Sequence, residues 1–390
     1  MGGTLFTGAA IFDGASLRPG ALLVEDGAIA AILPPGASPD GAVEHRLPGG
    51  ILAPGFVDLQ VNGGDGVMFN DDPSRATLER IAAAHATLGA LTILPTLITD
   101  TAETTRAAVA AVEEAVRAGV PGIAGLHLEG PHLSLARKGA HDPKLIRRME
   151  EADLRFLCDA ARRMPRLKIT IAPESVDKEQ IMALSNAGIL VSLGHSDAPF
   201  ATCIAAAAAG ARNVTHLYNA MSQLTNREPG LVGAALRAPG LSAGIIADGL
   251  HVHPAALRLA LAAKEGPGAL YLVSDAMAPA ASEIEGFTLN GRDIRRADGR
   301  LTLADGTLAG ADLDLAQALR VMTREVGVPL AQALSMATSI PARVAGLDRT
   351  AGFIAPGRTA DLVHLTSDLH LMAIWRRGDP VAPFRRRAQA

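Results

Sequence analysis

One alternation constrains this chain more than any other feature. From residue 51 onward, apolar runs rich in β-branched residues alternate with Ala-rich amphipathic segments. The runs are FVDLQVN (56–62), LTILPTLIT (91–99), GIAGLHLEG (122–130), KITIAPE (168–174), ILVSLGHS (189–196), NVTHLYNA (213–220), LSAGIIADG (241–249) and LYLVSDAM (270–277). Continuous apolar strands separated by helices belong to parallel sheets buried on both faces. Eight such units predict an α/β protein built on a (β/α)8 TIM barrel, a fold of typically about 250 residues whose active site lies at the carboxyl ends of its strands. The polar residues follow that rule. Gln60, Asn62, Thr99, Glu129, Glu174, His195, His216, Asp248 and Asp275 each fall near the end of their run, a bias that core packing does not produce.

The ends of the chain read differently. Residues 1–50 (LFTGAAIF, GALLVEDGAIAAIL) and 346–390 (GFIAPGRTADLVHLTSDLHL and a tail) are short β-like segments with Gly and Pro turns. They predict a small β-sandwich formed from both termini beside a barrel spanning 51–345. Within the barrel, FTLNGRDIRRADGRLTLADGTLAG (287–310) has one NG and two DG signals and predicts an inserted hairpin.

Composition removes several function classes. A content of 48% hydrophobic and 19% charged residues is that of a globular chain. A net charge of -4 leaves no basic field for nucleic acid, and the Arg385–Arg387 cluster reads as a solvated tail. No apolar run reaches the 18 or so residues of a membrane helix, and the first residues lack the pattern of a secretion signal. A cytoplasmic location is expected, with Cys158 and Cys203 as buried thiols carrying no chemistry.

Glu129, His195 and His216 end the third, fifth and sixth runs. One carboxylate and two imidazoles leave a coordination position open, which is the ligand set of a catalytic zinc. Taken singly, either histidine could be a hydrogen-bonded core residue; together at one level of one barrel they point to a metal. Asp275 can act as base and then acid, or merely cap the next turn. His141, in RKGAHDP, can polarise a carbonyl, or be an ordinary loop histidine. In HVH (251–253) the spacing mimics a ligand pair, but only His251 adjoins a strand end. Arg227 offers a planar fork for phosphate or carboxylate, or a solvated loop charge. Gln60 and Asn62 occupy places where a metal hydrolase can carry two histidines.

The motifs PGFVDLQVNG, GLHLEGP, KGAHDP, SLGHSDA, VTHLYNAM, REPGLVGAAL, IADGLHVHP and VSDAMAPA, in this order, resemble the N-acetylglucosamine-6-phosphate deacetylases of the amidohydrolase superfamily. The resemblance implies a homodimer, and hydrolysis of N-acetyl-D-glucosamine 6-phosphate to D-glucosamine 6-phosphate and acetate. It implies that Glu129, His195 and His216 hold one divalent ion, zinc ahead of iron or manganese. Asp275 would shuttle the proton and His141 would orient the carbonyl. Ala140, His141, Asn219, Ala220, Arg227, Asp248, His251, Leu308, Ala309 and Gly310 would contact sugar or phosphate, some across the dimer. Gln60 and Asn62 then read as a vacated second-metal position. His132 stays unassigned. N-acetylgalactosamine 6-phosphate or another acylated substrate is the neighbouring alternative, and a non-catalytic scaffold barrel the distant one.

Overall fold

The computed structural model describes residues 3–385. Its central sheet has eight strands in chain order: Phe56–Val61, Ala90–Ile98, Leu126–Glu129, Leu167–Ile171, Leu190–Leu193, Asn213–Val214, Ser242–Ile245 and Leu270–Leu272. Neighbours pair in parallel throughout. The first and eighth strands then close the ring: Asp275 N–H donates to Gln60 O at 3.1 Å, and Asn62 N–H to Ala276 O at 2.8 Å. The fold is therefore the expected (β/α)8 barrel. Most of its strands are shorter than the apolar runs, because several site residues lie on the turns just beyond the sheet.

Alternation within each strand builds two different layers. In the first strand Val57, Leu59 and Val61 join the apolar core shared with the helices, whereas Asp58, Gln60 and Asn62 lie buried on the opposite side. The inner wall is unusually polar for a barrel. His127 lies between Thr96 Oγ1 (3.1 Å from Nδ1) and Thr170 Oγ1 (2.8 Å from Nε2). Tyr271 donates its hydroxyl to Asn213 Oδ1 at 3.0 Å, and Asn213 donates in turn to Ser192 Oγ at 2.9 Å. Lys168 donates to Leu59 O at 3.3 Å. Polar groups this deep are tolerated only when partnered, and the bonds tie strands to one another beneath the cleft.

Helices return along the outside and begin at side-chain caps such as Ser74, Thr101 and Asp314, each accepting a backbone N–H of the first turn. Cys203 is buried within Phe200–Ala209, while Cys158 is half-buried; both are free thiols.

The termini do form a sandwich. One sheet has four strands in the spatial order Ala28–Leu33, Ala21–Glu25, Thr4–Thr7 and Val43–Arg46. The other has six, in the order Asp379–Val381, Leu371–Arg376, Leu362–Leu365, Ile51–Pro54, Ala10–Phe12 and Leu17–Pro19, so it interleaves both ends of the chain. Phe6, Ile11, Leu22, Leu52, Leu362 and Trp375 fill the space between them. Ile51–Pro54 belongs to this sheet, and the chain enters the barrel only at Phe56. Of the arginine cluster at 385–387, the last two residues lie outside the described residues.

The insertion departs from the single hairpin expected over 287–310. It is a four-stranded antiparallel meander of Gly286–Leu289, Arg292–Ala297, Arg300–Thr302 and Leu308–Ala311. Asn290-Gly291 and Asp298-Gly299 both turn with positive φ, so two primed turns sit where one loop was envisaged. Leu289, Ile294, Leu301 and Ala309 pack on Met68, Ile98 and Met277 from the barrel. This places the meander against the carboxyl ends of the strands.

Candidate active site

Between the meander and the strand ends lies a cleft of about 370 Å³. Asn62, Glu129, His141, His195, His216, Asn219, His251 and Asp275 are among the residues that line it. The backbone works to aim them. His195 (φ +46°), His216 (φ +24°) and Asp275 (φ +49°) all occupy the left-handed region, which costs a non-glycine residue about 1–3 kcal/mol and concentrates at functional sites. In each case the strand has just ended and the chain turns back over the cleft.

Three lone-pair donors converge there. His216 Nε2 lies 3.0 Å from His195 Nε2 and 3.2 Å from Glu129 Oε1, and His195 Nε2 lies 3.5 Å from the same oxygen. Ligand atoms 2.0–2.1 Å from a tetrahedral ion stand about 3.3 Å apart, so the spacing fits a zinc-sized cation. Tautomers fit as well. His195 Nδ1 lies 2.9 Å from Arg137 O, which only accepts; the proton is therefore on Nδ1 and the Nε2 lone pair faces the cluster. His216 Nδ1 is buried without a partner among the described residues. Glu129, His141 and His195 also offer atoms within 4.8 Å of one another. The set with His216 is the tighter one, and His141 is held differently.

His141 Nδ1 lies 2.7 Å from Thr99 Oγ1 and accepts the Thr99 N–H at 3.3 Å. Nδ1 is thus the acceptor, and Nε2–H is left as a donor. Burial, with His195 nearby, holds His141 well below its ordinary range, so the ring is neutral. The loop before it is gripped by Arg292 of the meander, which donates to Ala140 O.

Charge is divided unevenly between the two carboxylates. Burial works against ionised Glu129, but the contacts from His195 and His216 outweigh it and hold the group well below the usual carboxylate range. Burial, reinforced by the neighbouring Glu129 charge, pushes Asp275 up. Two carboxyl groups whose surroundings separate their protonation are the mark of an acid/base pair of roles. Gln60 sits between them, 3.2 Å from Glu129 Oε1 and 3.1 Å from Asp275 Oδ1.

The amidohydrolase family pattern matches residues 51–385. The chain is 45% identical to an N-acetylgalactosamine-6-phosphate deacetylase of Shewanella sp. (strain ANA-3), over 86% of this chain and 84% of that one. It is 36% identical to an N-acetylglucosamine-6-phosphate deacetylase of Haemophilus influenzae, over 91% and 93%. The crystal structure of N-acetylglucosamine-6-phosphate deacetylase from Pasteurella multocida superposes with a TM-score of 0.92 at 36% identity, covering 97% of this chain and 99% of that one. The chain belongs to the amidohydrolase family.

Within this amidohydrolase the remaining candidates divide. Ala140, Asn219, Ala220, His251, Leu308 and Gly310 line the cleft. Ala309 is buried beneath it in the meander core. Asp248 lies behind His251, whose Nδ1 is 2.6 Å from Asp248 Oδ2, and the same carboxylate accepts the backbone N–H groups of Leu250 and His251. That fixes the ring and leaves Nε2 for the cleft. His253, its near neighbour, caps helix Pro254–Ala263 by accepting the Ala255 N–H. Arg227 is exposed on a loop and does not line the cleft of its own chain. His132 is buried between Arg147 O at 3.2 Å and Asp153 at 4.0 Å, away from the cluster.

Other contributors were not singled out in the sequence, although Ile246 and Met277 fall within its motifs. Ile246, Met277 and Thr307 line the cleft, and Arg292 and the Arg137 carbonyl hold the loops. Thr215 is different: its place immediately before His216 at a strand end was a signal within reach.

Proposed function

We propose that this amidohydrolase removes the acetyl group from N-acetyl-D-glucosamine 6-phosphate or its galactosamine counterpart, giving the amino-sugar 6-phosphate and acetate. The observation that carries the reading is the convergence of Glu129, His195 and His216 beside an elevated Asp275 in one cleft. Glu129 Oε1, His195 Nε2 and His216 Nε2 would hold one divalent ion, with zinc ahead of iron or manganese. Bound there, such an ion would act as a Lewis acid and lower the pKa of water to about 7.

The chain's own groups account for the remainder. His141 donates Nε2–H to the acetamide oxygen, which gains negative charge as water oxygen bonds to the carbonyl carbon. Asp275 accepts the proton that water gives up. It then delivers that proton to the nitrogen as the C–N bond breaks, so the sugar leaves as an amine and the acetyl group as acetate. Asn219, Ala220 and His251, the last fixed by Asp248, lie where the sugar would be read. Leu308 and Gly310 of the meander form the facing wall, with Ala309 packed behind them.

Arg137 lines the cleft but is already paired with Asp197 at 2.7 Å, so the phosphate is left for a cation from elsewhere. Arg227 lies on an exposed loop beside Leu224, which is 59% exposed, near Leu259, 69% exposed, on a shared apolar face. A homodimer through that face would bury these leucines and carry Arg227 toward the partner's cleft. Among the described residues no helix is long and apolar enough to cross a membrane, and a phosphorylated sugar is a substrate held inside cells, so the proposed location is the cytoplasm.

The galactosamine epimer is favoured as substrate by one observation, the 45% identity to the Shewanella enzyme against 36% to the Haemophilus one. Acetate release should be measured on both sugar phosphates with zinc-, iron- or manganese-loaded protein. A higher kcat/KM on one epimer names the substrate, and no release from either refutes the reading.

A further inference from the structure

Gln60 and Asn62 project into the seam where the first and eighth strands meet. Gln60 Nε2 lies 3.2 and 3.4 Å from the two oxygens of Glu129 and 3.1 Å from Asp275 Oδ1. Asn62 Nδ2 lies 2.8 Å from the same Asp275 oxygen. The carboxylate oxygens only accept, so both amides must present their NH2 ends to them. On its other side Gln60 Oε1 accepts the Thr215 hydroxyl at 2.9 Å. Thr215, Gln60 and Asn62 are all buried, at 0%, 0% and 1% exposure, so none of these bonds competes with bulk water.

The consequence for Asp275 is asymmetric. Oδ1 takes both amide donors and Oδ2 takes neither, which leaves Oδ2 as the oxygen available to the cleft. Two carboxyl groups this deep would otherwise repel or demand a cation between them. Here the Gln60 amide lies between them, and Asn62 adds a second donor to Asp275.

We propose that Thr215, Gln60 and Asn62 form a latch that positions the Asp275 carboxylate for proton transfer. The three are positioning residues, acting through Asp275. The inference rests on the acid/base role given to Asp275 above.

The experiment compares Gln60→Met, Thr215→Val and Thr215→Ser with the unaltered chain. Each protein is stripped with chelator and titrated with zinc, bound ion is counted, and acetate release is followed on both sugar phosphates. All should bind one ion per chain. Gln60→Met and Thr215→Val should lose kcat by about 10- to 100-fold with KM changed less than about twofold, the scale of a misplaced catalytic group. Thr215→Ser, which keeps the hydroxyl, should recover most of that loss. An unchanged kcat in Gln60→Met, or a loss confined to KM, overturns the latch; so does a loss of the ion itself, since Gln60 would then serve only the ligand cluster. If the unaltered chain releases no acetate from either sugar, the substrate assignment fails by itself, and a crystal structure of Gln60→Met still decides: an Asp275 carboxylate left in place there overturns the latch.

Discussion

His195 and His216 point Nε2 at Nε2 across 3.0 Å, with His195 already committed by its Nδ1 proton to the carbonyl of Arg137. The bare His195 Nε2 therefore faces either a proton on His216 Nε2 or a cation that both rings share, and Glu129 supplies the third donor. Either His195→Asn or Glu129→Gln should reduce bound zinc to well below one per chain. Activity should fall by at least about 100-fold, since the ligand set is already at the minimum for a catalytic ion. Metal analysis after dialysis checks this; full occupancy in both variants would exclude the cluster as the ion site.

Asp275→Asn keeps the shape and loses the proton acceptor. Turnover should drop by about 10²- to 10⁴-fold, with zinc content and substrate affinity retained. Calorimetric binding of the sugar phosphate to the zinc-loaded variant separates the two effects, and an active variant would remove Asp275 from the chemistry.

Thr99 holds His141 by the 2.7 Å contact to Nδ1. In Thr99→Val the ring keeps only the backbone N–H at 3.3 Å, so the Nε2 donor is less well aimed. The expected outcome is a roughly tenfold lower kcat with little change in KM, because the carbonyl gains charge only as the reaction proceeds.

Arg227→Ala tests the proposed dimer and the phosphate together. KM should rise about tenfold or more with kcat much less affected, as for lost ground-state binding. Sedimentation should show the same dimer as the unaltered chain, while Leu259→Glu, on the apolar face, should give monomers with the same high KM. A monomeric and fully active Leu259→Glu protein would remove Arg227 from the partner's cleft.

Asp58 gives a pH-dependent test of the buried wall. Burial raises its pKa to about 7 from 3.8, against the hydrogen bonds from Ser274 and Gln60. The folded chain therefore binds this proton more tightly than the unfolded one, and the associated stability is present at low pH and lost as pH rises from about 4 through 7. Asp58→Asn removes that dependence. Relative to the unaltered chain its Tm should improve between pH 5 and pH 8, the free-energy scale being on the order of 1 kcal/mol per pKa unit. A constant difference across that range would show that Asp58 does not titrate there.

Much of this protein was determined by its sequence alone. The eight alternating runs dictate a barrel, because parallel strands must be buried on both faces and helices must return between them. Placement of Glu129, His195, His216 and Asp275 at run ends follows from the same geometry, since every run ends on the same rim. The β-like termini could be read as a sandwich, but not the interleaving that inserts Ile51–Pro54 between Ala10–Phe12 and Leu362–Leu365. That pairing joins residues about 300 apart along the chain, and no local pattern encodes it. The NG and DG signals marked turns in the insertion without saying that they make a four-stranded sheet. Tertiary structure alone decided that Gln60 bridges Glu129 and Asp275, that Asp248 serves His251 rather than the cleft, and that Arg227 does not line the cleft of its own chain. Residue type and spacing set which groups arrive at the rim; the directions in which they point depend on turns with positive φ and on hydrogen bonds across strands, which exist only once the barrel has closed.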